Sequence, residues 1–252
     1  KKFMDISRIK EDTELTVANT GGFHVGDHIV IQEKVDGSNS AIAYDKEVNK
    51  LVAFSRRQTL DYNNTLNGFW NWVQTLAVEP FSKYPNYVFF GEWLTSHTIK
   101  YIQNAYKKFY FYDVYDKEKE CYLPQSEVKK LADELNLRYV QTFYDGEFVS
   151  WEHCMSFMHE SDIAVDVPEG IVIKNQTELN NSNSRTPFVL KVVNSKFSEI
   201  KKDIHRQKVE DPQKLAAKSK ASEIVEQIVT KNRVQKELHK MIDEGILPEK
   251  IE

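Results

Sequence analysis

The chain has 252 residues, 40% hydrophobic and 29% charged, with a formal net charge of −4, a balance that excludes a disordered or fibrous protein. Nine glycines and seven prolines leave no long flexible linker, and no apolar run approaches the ~18 residues of a membrane span. Two cysteines make no disulfide framework and the opening Lys1-Lys2-Phe3-Met4-Asp5 lacks the apolar run of a signal peptide, so an intracellular, by default cytoplasmic, setting is expected.

Strand formers dominate the first half. His28-Ile29-Val30-Ile31 runs into Glu33-Lys34, and Ser40-Ala41-Ile42-Ala43-Tyr44 follows Asp36-Gly37. Leu51–Ser55, Tyr87–Phe90 and Phe109–Tyr112 are further β-branched or aromatic runs of strand length. Apolar residues at 66, 69, 70, 73 and 76 predict a helix over Thr65–Leu76. A second is predicted over Gln125–Leu135, with Val128, Leu131, Ala132 and Leu135 on one face, Pro124 before it and Asn136 at its end. A third is predicted over Trp151–His159, and strands return at Gly170–Lys174 and Phe188–Val193.

The tail changes character. Residues 1–190 carry 20 Lys and Arg against 27 Asp and Glu, whereas residues 191–240 carry 13 against 7. Apolar positions 224, 225, 228 and 229, then 234, 238, 241 and 242, predict two amphipathic helices, the second with Asn232 as N-cap and Gly245 as C-cap. The expected class is α+β, with a first domain over residues 1–200 and a helical appendage over 201–252. A basic block on an acidic chain suits a polyanionic partner, because cationic side chains release counterions from phosphates. A solvated helical face is the plainer reading of the same charges.

The residues that carry chemistry fall in five ordered segments. In Glu33-Lys34-Val35-Asp36-Gly37-Ser38-Asn39 the lysine is a nucleophile candidate, although Asp-Gly between strands is equally a hairpin turn. What singles it out is the order of the rest: Phe90-Gly91-Glu92, Phe111-Tyr112-Asp113-Val114, Glu169-Gly170-Ile171-Val172-Ile173-Lys174, and Leu190-Lys191-Val192-Val193-Asn194-Ser195-Lys196-Phe197. His24 and His28 have a metal-like spacing but no third ligand, so no zinc site is expected. Phe69, Trp70 and Trp72 read as helix packing.

Across roughly residues 25–200 these segments resemble the covalent nucleotidyltransferase superfamily of ATP-dependent DNA ligases, RNA ligases and mRNA capping enzymes. The chain is most similar to the RNA-ligase-2 branch, which includes the RNA-editing ligases. Asn39 stands where DNA ligases and capping enzymes place arginine, and Asn194-Ser195-Lys196-Phe197-Ser198-Glu199 also resembles that branch. The fold implied is a nucleotidyltransferase (adenylation) domain of antiparallel sheets flanked by helices.

The resemblance also implies roles. Lys34 would attack the α-phosphate of ATP and expel pyrophosphate, leaving lysyl-AMP; that needs in-line geometry and neutralised phosphate oxygens. The amine must first shed its proton, which cations around it would favour. Lys174, Lys191 and a divalent metal, Mg²⁺ or Mn²⁺, would supply positive charge. Glu92 is implied mainly for ribose and Glu169 mainly for metal. Tyr112 is the implied adenine platform, Glu33 would meet adenine through its main chain, and Asn39 would engage the phosphate or ribose end. Of Arg56 and Arg57, either of which could bind ribose or phosphate, the family pattern favours Arg57.

The implied activity is that of an ATP-dependent RNA ligase, passing AMP to an RNA 5′-phosphate and joining it to a 3′-hydroxyl. The implied partner is RNA with those ends, no membrane is involved, and a monomer is expected. The family's last motif often reads Lys-x-Lys; here Lys191-Val192-Val193 lacks the second lysine, and Lys196 lies five positions on. A DNA ligase, a capping guanylyltransferase, or an RNA-end-binding module with a degenerate site are the alternatives.

Overall fold

The computed structural model of the protein describes residues 3, 4, 6–10, 22–179, 188–197 and 199. The predicted tail helices and the boundary at residue 200 lie outside them. The described residues form two β-sheets with short helices, an α+β fold. In spatial order the first sheet is β1 (Ser7–Lys10), β11 (Val189–Val193), β10 (Gly170–Asn175), β2 (His28–Glu33) and β9 (Thr142–Glu147). Its strands are antiparallel except β1, which runs parallel to β11. The second sheet is β4 (Lys50–Ser55), β3 (Ser38–Asp45), β5 (Tyr87–Leu94), β6 (Lys108–Asp116) and β7 (Cys121–Tyr122), with β8 (Arg138–Tyr139) parallel to β6. The helices are α1 (Phe69–Val73), α2 (Val78–Ser82), α3 (Gln125–Glu134) and α4 (Trp151–Met155).

Alternation along the strands decides what each sheet buries. Ile29, Ile31, Ile171, Ile173, Leu190 and Val192 share one face of the first sheet and pack with Cys154 of α4 and Met158. The opposite face of the same strands carries Gln32, Val172, Lys174 and Lys191, with Lys34 just beyond β2. On the second sheet, Ile42, Phe89 and Phe111 pack with Phe69, Phe81, Val128 and Leu131 from α1, α2 and α3. Its other face presents Ala41, Ala43, Val88 and Phe90, which cluster with Val189 and Val172 of the first sheet. Each fully buried Ile or Phe contributes roughly 1.5–3 kcal/mol. The polar residues of the first sheet's inner face therefore line a cleft between two apolar layers.

Three expectations need adjusting. The helix predicted over Thr65–Leu76 starts only at Phe69, because Leu66, Asn67 and Gly68 have φ of 49°, 53° and 93°, left-handed values that no helix accommodates, and it ends at Val73, with 74–76 a turn. The helix predicted over Trp151–His159 ends at Met155 and continues as turns. Helix α3 spans all but the last predicted residue, and Asn136 turns the chain away at φ 51°. Both cysteines are free.

Candidate active site

The segment after β2 is held from several sides. The Lys34 backbone N–H donates to the Gly170 carbonyl at 2.9 Å, tying the first motif to the fourth. Asp36 does not serve a hairpin. Its Oδ2 accepts the backbone N–H groups of Thr98 and Ile99, at 2.9 and 3.0 Å, and its own N–H donates to the Tyr101 hydroxyl at 2.7 Å. Nothing in the sequence signalled this anchoring role beyond the Asp-Gly pair itself. A Cβ at Gly37 would lie 2.7 Å from the Trp93 carbonyl oxygen, so only glycine lets the chain pass this close to β5. Gly170 is as constrained: its φ is +146°, and a Cβ there would sit 2.0 Å from the Val192 carbonyl oxygen.

Lys34 Nζ lies 2.8 Å from Glu169 Oε1. Burial pulls the Lys34 ammonium down, but Glu169, Glu92 and Asp36 together outweigh it and hold its pKa above the ordinary lysine value. The expected cationic surrounding of the nucleophile is thus not what the fold builds: the groups at the amine are carboxylates. Glu92 carries the cost. Burial, with Glu169 and Asp36 adding to it against Lys34, pushes its carboxyl up to about 8. A site with more carboxylates than cations fits an added divalent ion, which characteristically binds through one or two carboxylates plus phosphate oxygens. Among the described residues no group of three or more His, Cys, Asp or Glu forms a metal cage.

Deeper in the cleft a β-bulge does the positioning. On β6, Asp113 pairs with Phe90 and Phe111 with Gly91, so Tyr112 is the extra residue. Strict alternation would send Tyr112 and Asp113 to opposite faces; the bulge lets both line the cleft. Lys174 Nζ donates to Asp113 Oδ1 at 2.9 Å and to the Tyr112 carbonyl at 2.8 Å, and lies 5.5 Å from the centre of the Tyr112 ring. Both members of that pair are buried, and burial pushes the Asp113 carboxyl up and the Lys174 ammonium down. Asn39 Nδ2 donates to the Tyr112 hydroxyl at 2.6 Å.

The cleft brings together Glu33, Lys34, Asn39, Arg56, Glu92, Tyr112, Lys174 and Lys191. Glu169 joins them through Lys34. Both arginines are exposed, but only Arg56 is part of the lining, so of the basic pair it is Arg56 that the fold sets at the cleft. The Glu33 side chain accepts from Ser161 Oγ, and burial raises its carboxyl to about 7. Residues not singled out beforehand also line the cleft: Gln32, Asp113, Val140 and Val172, with Phe3, Met4 and Ile6. Of these, Asp113 and Val172 lay inside quoted motifs but had no role.

The RNA ligase family model matches residues 27–193, well over half of the chain. The chain belongs to the RNA ligase family. All five motifs of this RNA ligase-family chain lie within or directly beside the matched span. Solved structures agree at the level of fold. An archaeal ATP-dependent RNA ligase superposes with a TM-score of 0.55 at 19% identity, over 78% of this chain and 49% of that one. A second form gives 0.54 at 17%, over 98% and 63%. A mutant Naegleria gruberi RNA ligase, with ATP and Mn, gives 0.50 at 18%, over 70% and 52%. The chain thus spans about half the length of the first of these proteins. No curated protein matches it. No helix among the described residues is long and apolar enough to cross a membrane.

Proposed function

We propose that this member of the RNA ligase family is an ATP-dependent RNA ligase, with residues 1–200 as its adenylation domain and 201–252 as an appendage. The observation that carries the reading is Lys34, a lysine at the mouth of a cleft whose inner wall supplies Tyr112, Asn39, Glu92, Lys174 and Lys191. The Lys34 amine attacks the α-phosphate of ATP, the bond to pyrophosphate breaks, and AMP stays on Nζ as a phosphoramidate. An RNA 5′-phosphate then takes the AMP, and a 3′-hydroxyl displaces it to form the phosphodiester. Before the attack Lys34 must give up the proton that Glu169 Oε1 holds in a hydrogen bond. A divalent cation, Mg²⁺ or Mn²⁺, bound by Glu169 would add positive charge at the phosphates and weaken that hold.

Tyr112 offers its ring to the base, Glu92 its carboxylate to the ribose, and Arg56 and Lys191 face the phosphates, while Lys174, paired with Asp113, stays at the inner end of the cleft. A Naegleria gruberi RNA ligase of similar fold is described with ATP and Mn, which supports the same pair of ligands here. Family membership favours RNA over the DNA-ligase and capping readings. The partner would be RNA with 5′-phosphate and 3′-hydroxyl ends, met by a cytoplasmic monomer. The test is ATP labelled on its α-phosphate, with Mg²⁺ or Mn²⁺ and any bound AMP first stripped by pyrophosphate. Acid-labile label is expected on the wild-type chain and absent from Lys34→Ala. Label from GTP alone would turn the reading to capping, and nicked-RNA binding without label to a degenerate module.

A further inference from the structure

Two residues of the cleft wall each hold a buried polar atom with no hydrogen-bond partner, Gln32 Oε1 and Asp113 Oδ2, and of the two only Gln32 is a neutral amide whose free end can read a base. Gln32 is 1% exposed, lines the cleft, and its Oε1 has no hydrogen-bond partner. A buried carbonyl without a donor is costly and calls for a reason.

The direction of this amide is set by the network behind it, which matters because amide oxygen and nitrogen are assigned by their partners. The chain of bonds starts at a fixed end. Asp113 Oδ1, 2.9 Å from the Lys174 ammonium, is a carboxylate oxygen and only accepts. Gln125, the first residue of α3, must therefore give it Nε2, at 2.6 Å. The Gln125 Oε1 then points back and accepts from Gln32 Nε2 at 3.0 Å and from the Tyr139 hydroxyl at 2.6 Å. Gln32 Nε2 also donates to the Tyr139 oxygen at 2.7 Å, with the Thr142 hydroxyl farther off at 3.4 Å. Both hydrogens of the Gln32 amide are taken, and its carbonyl is the free end. Flipping Gln32 would set two carbonyls against each other.

Gln32 also sits at a fitting depth in the cleft. Gln32 and Lys34 share a face of the strand two residues apart, roughly 7 Å along it. A nucleotide with its α-phosphate at Lys34 reaches past its ribose toward Gln32, with Tyr112 and Val172 lining the same cleft. Resting on the reading of this cleft as the ATP site, we propose that Gln32 Oε1 accepts a hydrogen bond from the 6-amino group of adenine, making Gln32 the residue that selects adenine. A 6-oxo purine would present an oxygen to that oxygen. Asp113 and Gln125 are then positioning residues: they act through Gln32 by fixing which end of its amide faces the ligand.

The test is a double comparison by calorimetry on the full chain, freed of bound AMP by pyrophosphate. ATP, GTP and purine riboside triphosphate, which lacks the 6-amino group, are each titrated into wild type and Gln32→Leu. The wild type is expected to bind purine riboside triphosphate about tenfold more weakly than ATP, and GTP more weakly still. In Gln32→Leu the ATP and purine riboside affinities should converge at the weaker value. A merely structural role would weaken both ligands and keep their ratio. Equal wild-type affinities for the two would overturn the assignment without any variant. A tenfold gap that survives in Gln32→Leu, or in Gln32→Met should the first variant not fold, would overturn it too and give Oε1 to a buried water. Preferential ATP binding without label at Lys34 would sink the ligase reading and leave Gln32 in place; label without preference would do the reverse.

Discussion

Lys174 on the inner face of the first sheet and Lys34 just past the end of β2 each have a carboxylate oxygen less than 3 Å away, yet their charges are governed in opposite ways. The Lys34 side chain is 23% exposed and Lys174 only 4%. Burial pulls both ammonium groups down. At Lys34 three carboxylates reverse that; at Lys174 the single Asp113 does not, and the lysine stays below its ordinary value. The cleft thus has a mouth over-supplied with negative charge and an inner pair close to balance. The mouth is arranged to take up cations and phosphates, and the inner pair to hold shape. The largest expected effect tests the mouth. Lys34→Ala should lower lysyl-AMP formation by at least about 10⁴-fold, since it removes the nucleophile itself. It should keep the fold but lower the melting temperature somewhat, because the cation shared by Glu169, Glu92 and Asp36 is lost. Residual labelling in that variant would place the nucleophile elsewhere.

The inner pair should answer differently. Lys174→Met strands the Asp113 carboxylate in a buried site, and breaking a buried pair from one side costs about 3–5 kcal/mol. Chemical denaturation is expected to show that loss, while Lys174→Met with Asp113→Leu should recover a good part of it. A single variant as stable as wild type would mean that water reaches Asp113, and the contrast between mouth and interior would fall.

This contrast marks how far the sequence could be read. Lys34, Glu92, Tyr112, Lys174 and Lys191 were recognisable because each sits inside a short ordered motif, and the strands around them are runs of apolar residues. The inner pair's supports were not. Asp113 lines the cleft only because β6 bulges at Tyr112, and a bulge breaks the alternation on which sequence reading depends. Gln32 meets Gln125 across 93 positions of chain, a contact with no local signature. The short α1 escaped for a related reason: apolar spacing over Thr65–Leu76 is helical, but three left-handed residues at 66–68 override it. The carboxylates at Lys34 were each legible, but their joint effect on its charge needed distances.

A third prediction separates Glu33 from the charges at the mouth. Its carboxyl is raised to about 7 by burial, with Ser161 opposing. A carboxyl raised in the folded state stabilises fully below its unfolded value, near 4.5, and that contribution is lost as pH rises through about 7. Glu33→Gln keeps the acceptor for Ser161 and has nothing to titrate. The stability advantage of the variant should therefore grow between pH 5 and pH 8, approaching about 3 kcal/mol. The decline due to Glu92 is common to both proteins and cancels. Parallel stability curves across that range would show that Glu33 is solvated as an ordinary carboxylate.

The smallest expected effect lies at a single hydroxyl joining the two ends of the cleft. Tyr112 reaches inward through its carbonyl, bonded to Lys174, and outward through its phenol, bonded to Asn39. Tyr112→Phe keeps the ring and the carbonyl and removes only the tether on Asn39. Half-buried Asn39 can turn part of its amide to water, so the loss should stay within about 0.5–1.5 kcal/mol. If Asn39 serves the steps after adenylation, lysyl-AMP should form within about twofold of the wild-type rate while sealing of a nicked RNA slows about three- to tenfold. Equal slowing of both steps would mean that the phenol holds the aromatic platform itself. Tyr112 would then belong with Asp113 to the inner, shape-holding end of the cleft, and Asn39 would need another source of orientation.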